Sequence, residues 1–297
     1  MAFSQPFPRL NPGEFKKGES DLMSELEKPE ASFYEWVKAN DLLEMVKPLW
    51  ESGGWRLRDD GKLYFPNPTM AIQTPWRHIK QEWRFDCSTW HHLMFDYLSK
   101  FMPPGQKFVP SGCHNCFKVV VRPRTLKELF ALEKLQLKLN RPSKCGIEVR
   151  PTVHALYGGY FYNQGLEQGL ERYSEVRQAV DNDETLGPEV GIILKRGCTE
   201  FELECGPSDQ WHISNEQMRL ERLVNRWVAT DDQDRAQPDW MLWRLYRQWI
   251  EFAYANGDST YAEFTNGKPL YPPVVTYHHL ATKPSALETE LPEKVED

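Results

Sequence analysis

A chain of 297 residues with 40% hydrophobic and 27% charged residues has enough apolar material to bury a large core without needing cross-links to fold. No run approaches the roughly 18 apolar residues of a membrane-spanning helix, and a net charge of −7 argues against a general binder of nucleic-acid backbones, which needs a positive field. The opening "MAFSQPFPRLNPGEFKKGES" is broken by proline and charge and has no apolar signal-peptide stretch. It predicts a cytoplasmic protein, whose cysteines serve metal or redox chemistry more often than disulfides.

Residues 1–30 read as an extended or poorly ordered arm and 31–105 as a mainly helical region. In the latter, Phe33, Trp36, Val37, Leu42, Leu43, Val46 and Leu49 recur at helical spacing. "GGWRLRDDGKLYF" has two strand-like runs around Asp-Asp-Gly, a hairpin signal. Trp90, Leu93, Met94, Tyr97, Leu98 and Phe101 then form the apolar face of a helix that Pro103-Pro104 stops.

The segment 106–205 is the most ordered in pattern. "FKVVVRP" reads as a strand, "TLKELFALEKLQLKLN" as an amphipathic helix capped by Thr125, and "CGIEVRP" as a second strand. "HALYGGYFY" follows as a third strand, "GLEQGLERYSEVRQAV" as a helix with Leu166, Leu170, Tyr173, Val176 and Val180 on one stripe, and "EVGIILKRG" as a fourth strand. The order βαββαβ predicts an α+β protein with a ferredoxin-like core, sheet order 4-1-3-2. Helices are expected over 206–280, including an aromatic one from Pro238 that carries Trp240, Trp243, Tyr246 and Trp249, and an acidic, disordered tail over 281–297. The Trp-rich helix is a candidate surface for a protein partner, with core packing the plainer role.

In that topology Cys113 and Cys116 lie just before the first strand, Cys145 opens the second and Cys198 follows the fourth, so all four are expected at one sheet edge. Four thiolates suit a [4Fe-4S] cluster in redox chemistry or electron transfer, or alternatively a structural Zn2+ in an RNA- or protein-binding module. Lys118, Lys144, Lys195 and Arg196 flank them and would offset thiolate charge. Cys205 is a substitute ligand, and Cys87 a structural residue.

Arg122 and Arg150 end the two parallel strands in a repeated Val-Arg-Pro, a candidate anion site because each guanidinium offers a planar fork of donors. Tyr157, Tyr160, Phe161 and Tyr162 on the third strand occupy the place of base-stacking aromatics in RNA-recognition modules of this topology, although core packing fits them better. Glu200, Glu202 and Glu204 alternate with apolar residues and are expected on one solvated strand face. No strong catalytic signature accompanies these features.

Overall fold

The computed structural model describes residues 56–57, 62–64, 75–80, 93–95, 107–215, 217–218, 221–222, 224, 228–229 and 237–271. The predicted arm, the helix beginning near Phe33, Cys87 and the acidic tail lie outside these residues. In chain order the elements are β1 (Arg56–Leu57), β2 (Leu63–Tyr64), β3 (Trp76–Ile79), α1 (Ser111–His114), β4 (Cys116–Arg122), α2 (Leu126–Leu139) and β5 (Ser143–Ile147). They continue as β6 (Tyr157–Gln164), α3 (Gly165–Asp181), β7 (Gly191–Arg196), α4 (Thr199–Cys205), β8 (Val228–Ala229) and α5 (Asp239–Ala255).

β1 and β2 pair antiparallel, as the Asp-Asp-Gly turn predicts, and β8 adds parallel to β2. The main sheet has five strands in the order β3-β5-β6-β4-β7, with every neighbouring pair antiparallel. The protein is therefore α+β. Its strand order is not that of a simple four-stranded ferredoxin-like sheet, because β3 adds to the edge beyond β5, with Trp76 opposite Gly146 and Ile79 opposite Ser143.

Local chemistry explains where α2 begins and ends. Thr125 is extended, and its hydroxyl accepts the Glu128 backbone N–H at 3.2 Å, while the Glu128 carboxylate reaches back to the Arg124 backbone N–H at 2.6 Å. This reciprocal arrangement satisfies donors that a helix start leaves open. Asn140 closes the helix at φ 49°, a left-handed conformation that asparagine tolerates.

One face of the sheet packs against the three long helices. Val119, Val121, Cys145, Ile147, Tyr157 and Phe161 meet Leu126, Leu129 and Leu132 of α2, Val176 and Val180 of α3, and Leu245 and Trp249 of α5. Gly159 makes the close approach of α2 possible, since a Cβ there would stand 2.3 Å from the Leu132 Cδ2. The stripe predicted for α3 is rotated: Val176 and Val180 are buried, but Leu166 and Leu170 are each 53% exposed.

A second correction concerns 199–205. Glu200, Glu202 and Glu204 lie on the helix α4, not on a strand. Gly197, at φ 61°, ends β7, and the seven residues that alternate in sequence make a short helix that buries only Phe201.

Candidate thiol site

The site lies at the end of the sheet where β4 begins and β7 ends. Cys113 is in α1, whose chain is held from outside: Ser111 donates its backbone N–H to the Glu221 carboxylate at 2.9 Å and its hydroxyl to the same group. Gln217 donates to the Val109 carbonyl at 2.6 Å and to Glu221 at 2.7 Å. Burial pushes the Glu221 carboxyl up, with the Gln217 and Ser111 hydrogen bonds opposing. These contacts fix the turn that carries Cys113.

Cys116 opens β4 opposite Gln164, and its carbonyl accepts the Gly197 N–H at 2.8 Å. That bond extends the β4–β7 pairing by one residue and brings Cys198 alongside. A side chain at Gly197 would come within 2.7 Å of the Trp211 ring, so the tight turn needs glycine both for its positive φ and for space. Arg196 clamps the same corner by donating to the His114 carbonyl at 2.6 Å and the Ser208 carbonyl at 2.7 Å.

Cys198 is the centre of the arrangement. Lys118 Nζ donates to its Sγ at 3.0 Å, and an ammonium at that distance favours a thiolate. Cys198 and Cys205 both pack against a cluster of Phe95, Val109, Cys113 and Phe201. The Cys116 thiol is pushed up to about 11 by burial, Lys118 pulling the other way and Cys198 adding to the rise. Cys116 therefore lies within electrostatic reach of both Lys118 and Cys198, while Cys113, Cys198 and Cys205 border one apolar cluster.

Cys145 does not join them. It sits in the middle of β5, opposite Gly159, which in turn pairs with Val121 of β4. Its level on the sheet is thus five residues along from Cys116 and two strands across, roughly 15–20 Å at about 3.3 Å per residue and 4.8 Å per strand. Strand alternation also places Cys145 on the helix-packed face and Cys116 on the other. Sulfurs on one metal ion, held by bonds of about 2.3 Å, stand no more than about 4.6 Å apart, and even a cluster whose thiolates bind different irons spans far less than the separation of Cys145 from Cys116, so a cage containing Cys145 does not fit. The sequence misleads here because β5 begins level with the middle of β6, Ser143 pairing with Phe161. Among the described residues, no group of three or more His, Cys, Asp or Glu side chains is placed to hold a metal ion.

The predicted flanking cations divide their roles. Lys118 is 8% exposed and touches the site directly. Lys195 bonds Thr199 at 3.0 Å and Glu202 at 3.2 Å, fastening α4 to β7. Lys144 lies over the Trp76 ring, 4.5 Å from its centroid.

The predicted arginine pair does not form an anion fork. Arg122 ends β4 and is exposed, whereas Arg150 is committed elsewhere. Its guanidinium donates to both Glu148 oxygens, at 2.8 and 2.6 Å, to Glu200 at 2.9 Å and to the Tyr160 hydroxyl at 2.9 Å. Burial alone would raise the Glu148 carboxyl, but the Arg150 bonds and charge and the Tyr160 hydroxyl outweigh it and hold the group below its ordinary range. Nor is Tyr160 open to a stacked base: it is 9% exposed, its ring packs edge-on against Trp76, and its hydroxyl donates to Glu148 at 3.0 Å. Glu148 was not singled out in the sequence, where a lone glutamate inside a strand carries no signal.

No protein-family model, curated protein or solved structure matches this chain.

Proposed function

We propose that this protein is a cytoplasmic metalloprotein that holds an iron–sulfur cluster for electron transfer at Cys113, Cys116 and Cys198, with Cys205 replacing Cys145 as the fourth thiol. The observation that carries this reading is the convergence on Cys198: Lys118 Nζ stands 3.0 Å from its sulfur, and Cys113 and Cys205 share its apolar cluster. The four β-strands from β4 to β7 serve as a ferredoxin-like core extended by β3. Five described cysteines are free thiols, which suits a reducing compartment. Loading the site requires the thiols to release their protons, as metal binding to cysteine does. Lys118 then offsets part of the thiolate charge.

The test is metal and sulfide analysis of protein purified without oxygen, beside Ala variants of each cysteine. Iron with inorganic sulfide is expected, lowered in the Cys113, Cys116 and Cys198 variants and unchanged in Cys145→Ala. Zinc without sulfide would overturn the redox role and leave a structural metal. Full loading of Cys113→Ala, Cys116→Ala and Cys198→Ala would overturn the site itself.

A further inference from the structure

The helix α5 has two opposed faces. Met241, Leu245, Trp249 and Ala253 are buried, and the Trp249 indole donates to the Pro75 carbonyl at 2.7 Å. On the other side Trp240 and Trp243 are 58% and 80% exposed. Arg244 lies over the Trp240 ring at 5.7 Å, and Arg247 is exposed and bridged to Glu251 at 2.8 Å. At about 100° per residue, Trp240, Trp243, Arg244 and Arg247 share one side of the helix. Tryptophan and arginine are the residues that most often anchor interfaces, and these four have no place in the core.

Their order identifies the occupant. Along the helix the exposed side reads Trp, Trp, Arg, Arg, at spacings that are symmetric about the midpoint between residues 243 and 244. A two-fold axis through that midpoint, perpendicular to the helix, pairs two copies antiparallel. It sets Trp240 against the partner's Arg247 and Trp243 against the partner's Arg244, and repeats both pairs by symmetry. Each contact joins a cation to an indole face. A different partner would need its own matching pattern, whereas a second copy supplies it automatically.

We propose that this chain forms an isologous dimer through the exposed face of α5. The dimer is independent of the thiol site. A contact built on one helix from each copy lies at the small end of protein interfaces, below about 1,200 Å², the size class of weak and transient associations, which are followed over roughly the micromolar range.

The test is sedimentation velocity of the full chain over a concentration series spanning that range. The wild type is expected to shift from monomer to dimer as concentration rises. Trp243→Arg sets Arg against Arg across the axis and should remain monomeric, with an unchanged thermal melt to show that it folds. The double exchange Trp243→Arg with Arg244→Trp restores the Trp–Arg pairing in the opposite sense and should recover the dimer. A wild type that stays monomeric throughout, a Trp243→Arg variant that dimerises as well as the wild type, or a double exchange that stays monomeric overturns the proposal. Monomeric wild type that instead retains an acidic peptide or an anionic vesicle would assign the face to that other occupant and likewise overturn the dimer.

Discussion

Removing the Arg150 side chain should cost far more than an exposed ion pair and should cost less in acid. The Glu148 side chain is fully buried and Arg150 is 34% exposed. Arg150→Ala removes two charge-assisted bonds to Glu148 and leaves the carboxylate with the Tyr160 hydroxyl and a backbone N–H at 3.1 Å. Breaking a fully buried pair from one side costs about 3–5 kcal/mol. The exposed third of Arg150 and the two remaining donors reduce this to about 2–3 kcal/mol near neutral pH. In the wild type the Glu148 carboxyl is depressed, so its contribution is present above its unfolded value of about 4.3 and is lost as pH falls through the lower folded value. In the variant the same group is buried without its cation and its folded value rises, so the penalty fades on acidification. Urea unfolding at neutral pH and at about pH 4 measures both stabilities. Arg150→Lys keeps the charge but loses the fork, and should fall between. A loss below about 0.5 kcal/mol, the ordinary range for a surface substitution, or an equal loss at both pH values, would refute the reasoning.

Gly159→Ala should destabilise by about 1–3 kcal/mol through overpacking against Leu132, and combining it with Leu132→Ala should cost less than the sum of the two single changes in urea melts. Asp258 accepts the Leu126 backbone N–H at 2.5 Å at the start of α2 and the Tyr157 hydroxyl at 2.7 Å, so Asp258→Ala should cost about 1–3 kcal/mol by the same assay. His78 is lowered to about 3 by burial first and then by the Lys144 and Arg77 charges. The unfolded chain therefore binds the extra proton between about pH 6.5 and 3, stability falls with acid across that window, and His78→Gln should flatten the slope by up to about 1.4 kcal/mol per pH unit.

The succession from β4 to β7 was legible because strand alternation, the Thr125 and Glu128 cap and the glycine at the start of α3 all act locally. Register was not. The sequence shows that a strand contains Cys145, but only the pairing of Ser143 with Phe161 shows that this strand starts halfway along its neighbour. β3 went unseen because four residues after a proline give too short a pattern, and their stability comes from distant groups such as Gln237, which accepts the His78 backbone N–H at 2.8 Å. Arg150 resembled a ligand-binding residue because Glu200, which occupies one arm of its fork, lies fifty positions away. Cys205, a substitute ligand in the sequence, packs against the same cluster as Cys113 and Cys198 because 199–205 coils into a helix where alternation suggested a strand.

The thiol site is tested most directly by differential alkylation with peptide mass spectrometry, comparing protein as purified without oxygen with the same protein after metal removal by a chelator. Cys113, Cys116, Cys198 and Cys205 should alkylate faster once metal is removed, while Cys145, fully buried in the helix-packed core, should react slowly in both samples. Equal rates at Cys113, Cys116 and Cys198 with and without metal, or metal-dependent protection centred on Cys145, would contradict the account.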